Sequence, residues 1–322
     1  MSAALRVGTR RSALALAQST QVAKQLSDAL ERPVELVEIV TEGDRSAAAI
    51  SQLGGTGVFV TALREALLAG RVDVAVHSLK DLPTAPAGGI ALAAVPLRED
   101  PRDALVCPAG FALGELAPGS RIGTGSPRRT AQLHALGYGL DLVPIRGNVD
   151  TRIRKAAEGE VDAVILARAG LARLDRLVDI TEVLDPLQML PAPGQGALAV
   201  ECREHDESLR REIEAALDDP PSRMAVAAER ALLAALEAGC TAPVGALADT
   251  VEPDPEDEPG AAVSGVGEIY LRGVAAAVDG SLILRLSATG SPRDPEALGR
   301  RLAADLLDAG AAELVESVRT NT

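Results

Sequence analysis

Three kinds of side chain in this 322-residue sequence could do chemistry. The first is a set of cations beside short turns: Arg10 and Arg11 ahead of Ser12, then Lys80, Arg128 and Arg129 after Ser126-Pro127, and Arg146, Arg152 and Arg173. A guanidinium is always charged and offers a rigid fork of donors that matches carboxylate or phosphate oxygens two at a time. The second is Asp81 in Val76-His77-Ser78-Leu79-Lys80-Asp81-Leu82-Pro83, a carboxylate among cations, for which a salt bridge is the ordinary use. The third is Cys240 in Glu237-Ala238-Gly239-Cys240-Thr241-Ala242-Pro243-Val244-Gly245. Flanking Gly and Pro suit an exposed loop thiol, but buried, idle cysteines are the usual case, and the residues alone leave both readings open.

Other reactive types say less. Cys107, Cys202 and Cys240 are odd in number and no pair has metal-finger spacing, so they cannot all pair with one another and no metal site is legible. His77 reads as a satisfied structural imidazole, and His134 and His205 have no motif around them. Gly54-Gly55-Thr56-Gly57 lacks the Lys-Ser/Thr ending of a nucleotide phosphate loop and reads as a flexible lid.

The elements that must hold these groups alternate short β-rich runs with longer amphipathic segments. Residues 4–8, 12–30, 34–40, 58–68 and 72–77 follow a βαβ rhythm, and 120–123, 130–136, 141–145, 149–157 and 161–166 repeat it. Two local echoes support a duplication. Gly70-Arg71-Val72-Asp73-Val74-Ala75-Val76 resembles Gly159-Glu160-Val161-Asp162-Ala163-Val164-Ile165, and Gly8-Thr9-Arg10 resembles Gly123-Thr124-Gly125. Beyond Pro220 the pattern predicts a long helix ending near Gly239, a solvated acidic loop over 251–260, strands over 268–278 and 281–288, and a helix over 295–309. The expected architecture is two similar α/β domains followed by a smaller α+β domain.

In open α/β sheets, ligands sit beyond the carboxyl ends of strands, against helix N-termini. The cations fall at such places. Arg10 and Arg11 follow the first strand, with Ser12 placed to cap the next helix; Lys80 follows 72–77; Arg128 and Arg129 follow a turn in which Ser126 suits an N-cap and Pro127 the first helical position. Arg146 follows 142–145, Arg152 lies about a turn further on, and Arg173 follows 161–167. If the two domains face each other, these groups converge on a ligand with several carboxylates. For any one arginine a surface ion pair is an equal reading, and Arg168 has no assignment beyond a surface one.

Composition bounds the classes. With 47% apolar residues the chain can fill more than one core. A net charge of −14 argues against a nucleic-acid partner, since phosphate binding needs a broad basic face. Of the 32 basic residues all but Lys24, Lys80 and Lys155 are arginines, so any anion site must be local. No apolar run approaches the ~20 residues of a membrane span, and no secretory signal is legible, which makes the cytoplasm the expected location and a membrane partner unexpected.

Seven segments, in order along nearly the whole chain, make the sequence resemble the porphobilinogen deaminase family. They are Gly8-Thr9-Arg10-Arg11-Ser12-Ala13-Leu14-Ala15, residues 76–83, Arg98-Glu99-Asp100-Pro101-Arg102-Asp103-Ala104, residues 123–129, Arg146-Gly147-Asn148-Val149, Leu190-Pro191-Ala192-Pro193-Gly194-Gln195-Gly196-Ala197, and residues 239–245. The resemblance implies a three-domain α/β enzyme: 1–98 with 196–217, then 99–195, both like the lobes of bilobal anion-binding proteins, then 218–322, the α+β domain with the cofactor cysteine. It implies a dipyrromethane in thioether linkage to Cys240, made from the enzyme's own substrate. Four porphobilinogen units would be joined head to tail on it and released as hydroxymethylbilane, one ammonia being lost per addition, in tetrapyrrole (porphyrin and haem) biosynthesis. A monomeric transferase is the family expectation.

By the same resemblance Asp81 stabilises the positive charge that develops on pyrrole nitrogen when an electron-poor azafulvene is attacked, the kind of binding that favours the transition state. Arg10, Ser12, Lys80, Thr124, Ser126, Arg128, Arg129, Arg146, Arg152 and Arg173 would hold the acetate and propionate groups, and Gln18 and Phe59 would line the substrate pocket. Gln52 and Thr56 stand in the lid, residues 42–59, where many members carry lysine, and Gly125 replaces a frequent serine. A non-catalytic bilobal carboxylate-binding protein would explain the lobes and arginines, but not Cys240 in its motif or the third domain. A pyridoxal or nicotinamide enzyme gives the cations no purpose, and the Gly-x-Gly-x-x-Gly turn is missing.

Overall fold

A computed structural model of the chain describes residues 4–39, 57–237, 242–253 and 263–314. In chain order the first elements are β1 (Leu5–Thr9), α1 (Ala13–Leu30), β2 (Val34–Glu38), α2 (Gly57–Leu68), β3 (Val74–Ser78), a 3₁₀ turn at Leu79–Asp81, and β4 (Ile90–Ala94). Next come β5 (Asp103–Val106), β6 (Arg121–Gly123), α3 (Pro127–Ala135), β7 (Asp141–Val143), α4 (Val149–Ala157), β8 (Ala163–Ala167), α5 (Arg168–Arg173) and β9 (Glu182–Val183). The chain closes with β10 (Leu198–Arg203), α6 (Glu207–Leu217), α7 (Pro220–Ala235), β11 (Val244–Val251), β12 (Glu268–Ala276), β13 (Ile283–Gly290) and α8 (Pro295–Asp308). No helix among the described residues is long and apolar enough to cross a membrane.

Two compact units divide the chain: Met1–Glu99 with Ala197–Arg223, and Asp100–Gly196 with Met224–Thr322. The first holds a five-stranded sheet in the order β2-β1-β3-β10-β4, in which β1, β2 and β3 run parallel and β10 runs antiparallel to both of its neighbours. Val7, Val22, Leu26, Val74, Val200 and Ile213 fill one side of it. Helix α1 packs there because its apolar residues recur at helical spacing, and it starts where it does because Ser12 Oγ accepts a hydrogen bond from the Ala15 N–H at 3.3 Å.

The second unit repeats this topology with β7-β6-β8-β5-β9, β5 again being antiparallel to β8 and β9. Here the sequence echoes acquire a physical meaning. Arg6 pairs with Asp73 at 2.8 Å at the start of β1 and β3, and Arg121 pairs with Asp162 at 3.1 Å at the start of β6 and β8, the backbone N–H of each arginine donating to the same carboxylate. Gly8 and Gly123 hold equivalent strand positions, and a Cβ on them would come within 3.0 Å of Leu63 Cδ2 and 2.7 Å of Ile145 Cδ1. Both sheets therefore need a bare backbone at this point for the covering layer to close.

The same unit contains a three-stranded antiparallel sheet, β11-β12-β13, covered by α7 and α8. Leu232, Leu236, Ile269, Leu271, Leu302 and Leu306 form its core, and truncating one such leucine to alanine costs about 2–5 kcal/mol. The two helices cross closely, for a Cβ on Gly299 would sit 2.3 Å from the Ala228 carbonyl oxygen.

The expected fold class of two similar α/β sheets and a smaller α+β domain is the one observed. Several elements differ from expectation. Helix α7 ends at Ala235 rather than near Gly239, because Glu237 turns left-handed at φ 49°. Strands β4, β5, β9, β10 and β11 were not anticipated, and 244–251 forms the longest of them. Cys240, the lid residues Gln52 and Thr56, and the acidic stretch over 254–260 lie outside the described residues.

Candidate active site

Because β1 and β3 are parallel neighbours, their carboxyl ends lie at the same edge of the first sheet. Arg10 and Ser12 follow β1, and Lys80 and Asp81 follow β3. Gln18, buried on α1, joins the two: its Nε2 lies 2.9 Å from Ser78 Oγ, the last residue of β3, so it braces the turn that carries Lys80 and Asp81. Asp81 itself is half-buried, and its carboxylate has no hydrogen-bond or ion-pair partner among the described residues. The ordinary salt-bridge use is thus not the one adopted here. Of Phe59 only its place in α2 is described.

Strand β3 is itself held by a buried charge cluster. His77 Nε2 lies 3.3 Å from Glu201 Oε2 on β10, and Arg64 of α2 reaches Glu201 Oε1 at 2.6 Å. Burial pushes the Glu201 carboxyl up, but His77 and Arg64 outweigh it and bring it down to about 2. The imidazole faces Glu201 from inside the sheet, although its buried Nε2 makes no hydrogen bond among the described residues.

In the second unit Thr124, Ser126, Arg128, Arg129, Arg146, Arg152 and Arg173 gather at the carboxyl ends of β6, β7 and β8. Thr124 is buried, and its hydroxyl accepts from the Ser126 N–H at 3.3 Å. Ser126 stands at the N-cap of α3 with Pro127 at the first helical position, but its hydroxyl makes no cap bond. At Gly125 a Cβ would lie 2.8 Å from the Ile145 carbonyl oxygen, so this backbone has no room for a serine there.

Arg128 and Arg129 are buried, and the protein itself engages their forks. Arg128 donates to the Leu190 carbonyl at 2.6 Å and pairs with Asp103 Oδ2 at 2.9 Å; Arg129 pairs with Asp103 Oδ1 at 2.7 Å and donates to the Ile165 carbonyl at 2.8 Å. Burial raises the Asp103 carboxyl, but the two guanidinium charges overcome that and hold it well below the usual carboxylate range. One carboxylate thus faces two buried cations and leaves the cluster one positive charge in excess. Arg128 Nε has no hydrogen-bond partner among the described residues.

Three further cations follow the same set of strands. Arg152 donates from Nε to the Gly147 carbonyl at 2.9 Å, and its pKa is lowered first by burial and then by the charge of Arg129. Arg173 donates to the Gly196 carbonyl at 2.6 Å. Arg146 is exposed in the loop before α4 and has no partner among the described residues, whereas Asn148 caps that helix by accepting from the Thr151 N–H at 2.8 Å. Arg168 is more than a surface residue: its Nε lies 3.4 Å from Asp100, which also binds Arg102 through two oxygens.

Reading the residues by type missed Asp103, Gln195 and Glu201. The two carboxylates carried a signal. Asp103 opens the apolar run Ala104-Leu105-Val106, and Glu201 sits inside Leu198-Ala199-Val200-Glu201-Cys202; a carboxylate in a buried strand requires a cationic partner.

Two repeated sheets with arginines at their strand ends, and the half-buried Asp81 at the end of β3, define an α/β protein with an α+β domain attached. Residues 5–211 match the family described as "Porphobilinogen deaminase, dipyromethane cofactor binding domain", and residues 224–308 match "Porphobilinogen deaminase, C-terminal domain". The chain belongs to the porphobilinogen deaminase family. A porphobilinogen deaminase of Nocardia farcinica (strain IFM 10152) is 56% identical over 314 residues, covering 98% of this chain and 88% of that one. Another from Mycobacterium avium (strain 104) is 55% identical over 319 residues, covering 98% of each. Among solved structures, the methionine binding protein MetQ aligns at TM-score 0.43 and 14% identity, over 66% of this chain and 89% of that one.

Proposed function

We propose that this chain joins four porphobilinogen molecules head to tail into hydroxymethylbilane, releasing one ammonia per addition, on a dipyrromethane attached to Cys240. The observation that carries this reading is Asp81: a half-buried carboxylate with no partner among the described residues, at the end of β3 and braced through Ser78 by Gln18. A fixed, uncompensated carboxylate stabilises positive charge on a pyrrole nitrogen most when that charge is fully developed. The residues also fit a polycarboxylate cofactor, because the Asp103 cluster keeps an excess positive charge in a buried setting and Arg146 keeps an open fork.

When bound, the dipyrromethane supplies the pyrrole α-carbon to which the next unit is joined. The chain's own residues do the rest. Arg146 and Arg173 bind acetate and propionate groups, and Arg10, Ser12 and Lys80 do so at the first sheet, with Ser126 and Thr124 lending hydroxyls. Arg128 and Arg129 act chiefly through their field, since the protein itself engages most of their donors, whereas Arg152 gives the protein its Nε and turns its terminal nitrogens to a carboxylate. Gln18 acts by bracing the Asp81 turn, and Phe59 is assigned to the substrate pocket. The reading includes three domains divided at 98/99, 195/196 and 217/218, and a cytoplasmic monomer.

Asp81→Asn tests it. The variant is expected to fold as the parent does and to lose turnover by about 10²-fold or more, the scale of removing one preorganised charge-stabilising group. Near-parental turnover would remove Asp81 from the reaction.

A further inference from the structure

Residues 194–196 form a junction at which three consecutive residues each hold a different part of the second unit. The Gly194 N–H donates to Glu229 Oε2 at 2.7 Å, and the other oxygen of that buried carboxylate accepts from the Ala248 N–H at 2.8 Å. The Gly196 carbonyl accepts from Arg173. Between them the buried Gln195 directs one amide nitrogen to the Pro101 carbonyl at 2.7 Å and to Asp103 Oδ1 at 2.9 Å. Gly194 and Gly196 sit at φ 73° and 88°, so the backbone on both sides of Gln195 is of a kind that side-chain-bearing residues rarely adopt.

We propose that Gln195 is a positioning residue: it orients the Asp103 carboxylate and, through it, the guanidinium groups of Arg128 and Arg129. Asp103 Oδ1 receives charged donors from Arg129 and a neutral one from Gln195, while Oδ2 meets Arg128 as an ion pair. A neutral donor fixes the direction of the carboxylate without altering the charge of the cluster. A glutamate would cancel the excess positive charge, and an apolar residue would leave Asp103 and the Pro101 carbonyl each short of a donor. The junction also ties this orientation to the C-terminal sheet, because Glu229 joins Gly194 to β11. The inference rests on the reading that the arginines of the second unit, Arg128 and Arg129 through their field, attract the carboxylates of the growing chain.

The test uses the full-length, cofactor-loaded enzyme. Gln195→Leu is expected to carry the Cys240 adduct by intact mass. Per loaded site, its kcat should fall about tenfold with KM little changed, and early enzyme-bound intermediates should accumulate after a limiting addition of porphobilinogen. A purely structural residue would instead lower the loaded, folded fraction and leave kcat per loaded site unchanged, and that result would overturn the proposal. Gln195→Glu gives a second measurement if the leucine variant does not fold: KM for porphobilinogen should rise and become less dependent on salt, and an unchanged salt dependence would count against the proposal. Arg146→Ala, run alongside, separates the two levels. If it alters the intermediates and the Gln195 variants do not, only the Gln195 assignment fails. If it too leaves them unaltered, the arginine reading fails and the Gln195 assignment with it.

Discussion

Arg129 Nη2 lies 2.7 Å from Asp103 Oδ1 in a setting where the carboxylate has no exposed surface at all. Arg128 approaches the other oxygen at 2.9 Å. A lone ion pair buried this way gives little net stability, because desolvation opposes the attraction, yet removing one member leaves the others uncompensated. Asp103→Asn keeps the size and removes the charge, so two neighbouring guanidinium groups would remain with no counter-ion. The expected loss is about 3–5 kcal/mol in chemical denaturation followed by circular dichroism. A loss below about 1 kcal/mol, the scale of an exposed pair, would mean that the cluster is not organised by this carboxylate.

Glu201 makes an acid-dependent contribution to the first unit. Its folded pKa is depressed to about 2 from an ordinary 4.5, so the contribution is present above the ordinary value and is lost as pH falls toward the folded one. At neutral pH it is on the order of 3 kcal/mol. Glu201→Gln should therefore be clearly less stable than the parent at neutral pH, and the difference should shrink between about pH 5 and about pH 3. A difference that stays constant over that range would assign the loss to packing rather than to the carboxylate's pairing with His77 and Arg64.

Arg146 makes the opposite case. Exposed and without a partner among the described residues, it should be replaceable by alanine with a stability change within about 0.5 kcal/mol. The distribution of enzyme-bound chain intermediates, read by mass after limiting substrate, should nevertheless shift toward stalled species. An unchanged distribution with unchanged stability would leave Arg146 with no role in the site.

How much of this was legible in the sequence depends on the range of the interactions. Elements set by local patterning were readable: α1 with its Ser12 cap, α4 over 149–157, and β12 and β13. Strand β10 was not, because it is inserted between β3 and β4 from more than 100 residues further along, and nothing in Leu198–Arg203 names those partners. The same limit applies at the site. Arg128 and Arg129 were legible as cations at a helix start, but their engagement by Asp103, Leu190 and Ile165 depends on residues distant in sequence. Arg168 could not be assigned until Asp100 was seen beside it. Cys240 was singled out by its motif and by family resemblance, since a thiol between glycine and proline carries no chemistry by itself.

The intact mass of the purified protein beside its Cys240→Ala variant, with peptide mapping of any adduct, tests the central claim most directly. The account predicts an added mass equal to one dipyrromethane, located on Cys240 and missing from the variant. A thiol that is unmodified as purified, and stays so after incubation with porphobilinogen, would contradict it.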